Sequence, residues 1–232
     1  LPTRGSDWGD GGKWRAMHEF TWDSNNDVVK TTFNQLTLGI TKSLTAIGSI
    51  NKSTINNKAL FLAEAKGLLA YYTYTTIDLF GQAPYRDPDN LEAPIEIRKA
   101  ETTIDALITE VEGLIPNLAD IKTQNTHAGR FTKQAAYALL ADMYLNRAVL
   151  KNKTGGNFAF TEQAINGGGT DMDKVIQYSN LLINGGLFSL ESNYFHNFDI
   201  NNDTSKEMIF TIVQKKNSCV YVYGKNSEAV TG

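Results

Sequence analysis

Apolar positions recur along most of this chain at three- and four-residue steps, the period of a helix with one buried face. After a polar turn in which Asn26 or Asp27 can cap a helix, Phe33, Leu36, Ile40, Leu44 and Ile47 form one stripe, ended by Gly48 and the polar stretch 51–57. A second helix is predicted over 58–80. Phe61, Ala65, Leu68, Tyr72 and Leu79 mark its stripe, and Leu69, Ala70, Tyr71, Tyr74 and Ile77 widen it almost all round, as in a helix buried on more than one side. Gly81 stops this helix, and Pro84, Pro88 and Pro94 keep 81–96 out of helix, as a long ordered connector. A third helix is expected over 98–114, with Ile104, Leu107, Val111 and Leu114 on one face. A fourth is expected over 131–150, where Ala135 and Ala136 let a partner approach closely beside Leu139, Leu140 and Met143. The fifth opens at Thr170-Asp171-Met172-Asp173, which has capping-box spacing with Asp in place of Glu, and closes on Asn184-Gly185-Gly186 as a left-handed cap. The run 208–213 is β-branched and aromatic and reads as a short strand.

The fold class expected is therefore mainly α: helical hairpins with long inserted loops and a short β element near the C-terminus. The fourth and fifth helices are loosely like tetratricopeptide helices, but the loops are too long for a regular array. The 232 residues, 41% of them hydrophobic, suffice for a real core and read as a single domain over 1–232. No apolar run approaches the roughly 20 residues that span a bilayer. A net charge of −3 with scattered Lys and Arg leaves no basic footprint for nucleic acid or anionic lipid. Cys219 is the only cysteine, so no intramolecular disulfide or thiolate cluster can form; its apolar neighbours mark it as a small buried hydrophobe. The chain opens without Met and in loop-like sequence, and it closes in loop-like sequence. Both ends are expected to be cut.

The candidate chemistry lies near the start. All three tryptophans, Trp8, Trp14 and Trp22, fall in one stretch without strong period, interleaved with Arg4, Asp7, Asp10, His18 and Asp23. Glycines 5, 9, 11 and 12 let the backbone turn tightly. Ring faces with planar hydrogen-bonding groups on an ordered loop suit a polar ligand with apolar faces, such as a sugar. The alternative is that the rings cover the end of a helical core, since aromatic side chains carry large burial area in any fold.

Other motifs point elsewhere or nowhere. Asp199-Ile200-Asn201-Asn202-Asp203 has the oxygen spacing of a calcium loop, but Thr204 and Phe210 stand where the turn glycine and bidentate glutamate belong; 23–27 fails the same way, and both read as polar turns. Asn166-Gly167-Gly168-Gly169-Thr170 lacks the ending of a phosphate loop. His18, His127 and His196 lack metal-ligand spacing, and no nucleophile elbow or opposed carboxylate pair is evident. No metal, cofactor or enzymatic activity is expected.

Several segments, in order, resemble one family. Leu1-Pro-Thr-Arg-Gly-Ser-Asp-Trp8, Asp10-Gly-Gly-Lys-Trp14 and His18-Glu-Phe-Thr-Trp22 are similar to the N-terminal region of the SusD/RagB family of Bacteroidetes outer-membrane nutrient-binding lipoproteins. Ala63-Glu-Ala-Lys66, Ala70-Tyr-Tyr72 and Asp78-Leu-Phe-Gly-Gln-Ala-Pro-Tyr85 resemble its most recognisable helix and the turn after it. Gly129-Arg-Phe-Thr-Lys133 through Ala141, and Asn202 to Phe210, resemble two later segments. The resemblance implies tetratricopeptide-like helical pairs and glycan binding without catalysis. It implies delivery to a SusC-like TonB-dependent transporter, a surface-exposed outer-membrane location through a lipid anchor absent from this chain, and that this chain is the N-terminal portion of a longer protein. Carried over by region, the family's site falls on Arg4, Asp7, Trp8, Trp14, His18, Trp22 and Asn25. The tryptophans would stack on pyranose faces, and Arg4, Asp7 and Asn25 would bond ring hydroxyls. The competing function is a helical-repeat protein-interaction module without glycan binding; a glycoside hydrolase is the third.

Overall fold

The computed structural model describes residues 12–121, 129–152, 168–200 and 202–212. Six α-helices build most of it: α1 Lys13–Glu19, α2 Asp27–Asn51, α3 Lys58–Phe80, α4 Ala100–Leu114, α5 Lys133–Lys151 and α6 Asp171–Ile183. Helix α2 packs along α3, α6 along α5, and α4 bridges the two pairs by lying against both α3 and α5. The mainly α, hairpin-based architecture expected from the periodicity is the one observed. The buried part of the stripe expected on α2 is Ile40, Leu44 and Ile47; Leu36 is only partly buried and Phe33 is exposed, its ring set against Phe80. Helix α3 buries Ala63, Ala65, Gly67, Leu69, Ala70, Tyr74 and Ile77, which spread over several faces, as a central helix requires.

Local chemistry sets the helix ends. Asn26 caps α2, its side chain accepting from the backbone of Val28 and Val29. Thr170 and Asp173 form a full reciprocal capping box on α6, so the shorter aspartate serves where glutamate is usual. Past α6 the left-handed residue is Gly186, with φ 68°, whereas Asn184 keeps helical angles. Gly81 ends α3 at φ 75°, its N–H donating to the Ile77 carbonyl.

Small residues permit the closest helix contacts. A Cβ on Gly39 would come within 2.6 Å of the Tyr72 ring. One on Gly67 would overlap the ring of Phe131, which precedes α5 and is 1% exposed. Tyr137, Tyr178 and Tyr144 stack in a row between α5 and α6, with centroids 6.0 and 6.1 Å apart.

Two expectations need correction. The β element among the described residues is a two-stranded antiparallel sheet, β1 Gln82–Tyr85 with β2 Glu96–Lys99, which lies mid-chain, at the two ends of the ordered connector expected over 81–96 and into the start of the helix expected from 98, and not near the C-terminus. Pro84 fits because a two-stranded sheet has only edge strands, so a missing donor breaks no inner ladder. The guanidinium of Arg98 lies 3.2 Å above the Tyr85 ring, and the Pro88 carbonyl sits against Gly48. Residues 208–212, expected as strand, pair with no strand among the described residues; Val213 lies outside them. Phe210 instead packs in T-shaped contacts with Tyr71 and Phe131, so its apolarity reports an anchor on the helices and not a ladder.

Candidate functional site

The tryptophan-bearing stretch is more regular than its sequence suggested. Gly12, in the left-handed region at φ 81°, turns the chain into α1, a two-turn helix holding Trp14 and His18. These two are four residues apart and so share a helix face. Arg15 and Glu19 form an exposed pair at 2.8 Å along the same helix. Trp14 is half-buried, with the Lys13 ammonium 5.8 Å from its ring centroid, while His18 is exposed. The helix ends at Phe20, whose N–H donates to the Ala16 carbonyl; Thr21 donates to the same oxygen at 3.0 Å.

A tight polar turn then leads into α2. The Asp23 carboxylate accepts from the Asn25 backbone at 2.8 Å, the Asp23 carbonyl accepts from the Asn26 backbone at 3.1 Å, and Asn26 begins α2. Asn26 also reaches back: its Nδ2 donates to the Lys13 carbonyl at 3.4 Å. One side chain thus caps α2 and holds the start of α1. Trp22 lies in this corner with 47% of its surface exposed, and Asn25 is exposed.

The structure therefore brings Trp14, His18, Trp22 and Asn25 together on one helix–turn corner, two of them on a helix where a loop was expected. Arg4, Asp7 and Trp8 lie outside the described residues, as does Cys219. The alternatives for the tryptophans divide between the rings: Trp14 is partly packed, and Trp22 faces solvent. Phe20 escaped the sequence reading although it is 85% exposed. Its spacing of one residue from Trp22 was the available signal.

Other contacts cross-link the helices. Phe33 on α2 meets Phe80 at the end of α3 edge-on at 5.1 Å. Arg130 forks onto Glu64, with Nε 2.9 Å from Oε2 and Nη2 2.5 Å from Oε1. Thr132 caps α5 by accepting from the Ala135 backbone.

Charged and phenolic groups elsewhere hold helices together. Arg147 on α5 bonds Asp105 on α4 at 2.7 Å and the buried Asp171 on α6 at 3.0 Å; Lys151 adds a second contact to Asp105. Burial raises the Asp105 pKa, but hydrogen bonds from Arg147 and Lys151 outweigh it and hold the carboxyl below its ordinary value. Tyr178 and Tyr144 both donate to Glu112, at 2.7 and 2.9 Å. Burial, then these bonds to Glu112, pushes both phenols far up, so they stay protonated donors. His196 contacts Asp199 and Thr204 at 3.4 and 3.3 Å. Asp23 in its turn and Asp199 beside His196 thus have local partners. Among the described residues no group of three or more His, Cys, Asp or Glu is placed to hold a metal ion, and no helix is long and apolar enough to cross a membrane.

A family model described as starch-binding associating with outer membrane, of SusD-like type, matches residues 5–145. The starch-binding protein SusD of Bacteroides thetaiotaomicron is 29% identical over 154 residues, covering 65% of this chain and 24% of that protein. Among solved structures, surface glycan-binding protein A from Bacteroides uniformis superposes with a TM-score of 0.66 at 20% identity, over 85% of this chain and 41% of that one. Surface glycan-binding protein A from Bacteroides thetaiotaomicron, in complex with laminarihexaose, gives 0.65 at 19% identity, over 89% and 39%. The chain thus matches well under half the length of these relatives.

Proposed function

Because the chain belongs to the SusD-like family, whose model spans residues 5–145, we propose that it binds oligosaccharide at the cell surface without catalysis and hands it to a TonB-dependent transporter of the outer membrane. The observation that carries this reading is the α1–α2 corner: an exposed tryptophan, an exposed histidine and a half-buried tryptophan on backbone fixed by caps and turn bonds. Preformed aromatic surface beside hydrogen-bonding groups is what a sugar needs, since its ring has an apolar C–H face and a polar rim. The names of relatives lend support, as two are named for binding starch or glycan. Arg4, Asp7 and Trp8 complete the proposed ligand set with Trp14, His18, Trp22 and Asn25, and a lipid anchor upstream would hold the protein on the membrane.

The test is calorimetric titration with starch, laminarin and xyloglucan oligosaccharides and with a peptide mixture. Saccharide binding that weakens about fivefold in Trp22→Ala is the expected result, the loss of one stacking contact. Binding to peptides and to no saccharide would sink the assignment in favour of a helical interaction module.

A further inference from the structure

Helices α1 and α3 end with the same device and different residues. At α3 the left-handed C-cap is Gly81, with φ 75° and its N–H on the Ile77 carbonyl. At α1 the left-handed C-cap is Phe20, with φ 56°, ψ 31° and its N–H on the Ala16 carbonyl. Glycine is the residue that this conformation favours, because any Cβ crowds the neighbouring carbonyl. Only one other non-glycine residue among the described ones has positive φ, and it is Asn57, a side chain that tolerates the region. Phe20 is thus the wrong residue for its backbone. Its ring does not compensate by burial, being 85% exposed, more than Trp22 or Phe33. A strained backbone that carries an unburied ring serves something outside the fold.

Its position names what that is. Phe20 falls between His18 and Trp22, both exposed, in the corner described above. We infer that Phe20 is a ligand-contacting residue whose ring receives the C–H face of a pyranose unit, next along the saccharide from the unit on Trp22. This rests on the glycan-binding reading above. Left-handed backbone turns the residue out of the helix, and glycine would make that turn more easily but offer no surface. The cap is therefore a compromise in which backbone ease is given up for a stacking face.

The experiment uses the full chain and its Phe20→Gly, Phe20→Tyr and Trp22→Ala variants, with maltohexaose, laminarihexaose and a xylogluco-oligosaccharide as probes. Thermal denaturation and titration are read together. Phe20→Gly is expected to melt at or above the wild-type temperature, since the strain is relieved. Its saccharide affinity is expected to fall about fivefold, while Phe20→Tyr binds within about twofold of wild type because the ring remains. Unchanged affinity in Phe20→Gly, with wild type and Trp22→Ala behaving as above, overturns this inference alone. A lower melting temperature in Phe20→Gly also overturns it, by showing that the ring is needed for folding. Absence of binding by wild type to every probe overturns the function and this inference together.

Discussion

Replacing Gly67 with alanine tests the closest contact in the scaffold. The new methyl would fall on the Phe131 ring, and not only at its edge: even Cγ would lie at 2.8 Å. The whole ring must therefore move. It has little room, being 1% exposed with the Phe210 ring 5.8 Å away. Overpacking a filled core costs roughly 1–3 kcal/mol, and this geometry belongs in the upper part of that range. Alanine in place of glycine inside a helix returns about 1 kcal/mol. The net expectation is a loss of about 1–2 kcal/mol, or roughly 2–8 °C in Tm for a domain of this size. Gly113→Ala is the matched control, since that helical glycine has nothing within 4 Å of its would-be Cβ. It should stabilise by about 0.5–1 kcal/mol. Thermal and urea denaturation followed by circular dichroism would measure both. A Gly67→Ala protein as stable as Gly113→Ala would refute the claim that α3 is pressed against Phe131. Recovery of stability in Gly67→Ala/Phe131→Leu would support it through the coupling of the two sites.

Three further outcomes follow from the described contacts. Asn26→Asp keeps the acceptor that caps α2 but cannot donate to the Lys13 carbonyl, so global stability should change by less than about 0.5 kcal/mol while α1 amides exchange faster; unchanged protection across 13–19 would refute the tie between the two helices. The depressed pKa of Asp105 stabilises the fold at pH above the ordinary aspartate value, and this contribution is lost as pH falls through the lower folded value. Tm should accordingly drop more steeply below about pH 4 in wild type than in Asp105→Asn, and parallel pH profiles would count against the Arg147–Lys151 clamp. Arg130→Lys gives up the two-pronged contact with Glu64, and because Arg130 is 43% exposed the loss should be modest, about 0.5–1 kcal/mol by chemical denaturation.

What the sequence revealed depended on whether the cause was local. The stripe of Ile40, Leu44 and Ile47 and the Thr170–Asp173 box are local signals, and both appear as spaced. Helix α1 was missed because two turns between Gly12 and Phe20 are too short to show a period, and its stability comes from a cap and a bond to Asn26. The sheet was misplaced because pairing is not local: Gln-Ala-Pro-Tyr has poor strand composition yet finds a partner at 96–99, whereas 208–212 has good composition and finds none. At the candidate site, the tryptophans could be counted, but not their exposure, which separates Trp14 from Trp22, nor the backbone angle that singles out Phe20.

The same division explains why family was easier to read than ligand. The segments that carry the resemblance most plainly, Ala63–Lys66 and Gly129–Lys133, turn out to touch each other. Glu64 receives Arg130, and Gly67, three residues on, receives Phe131. They lock the central helix to the approach of α5, a contact inside the scaffold that is independent of any ligand. Ligand contacts obey no such constraint, because an exposed ring on the α1–α2 corner can be exchanged without disturbing a packed neighbour. Recognition of the fold therefore rests on residues that say nothing of a ligand, and the contacts of the proposed saccharide are to be sought among exposed residues of the corner such as Phe20 and Trp22.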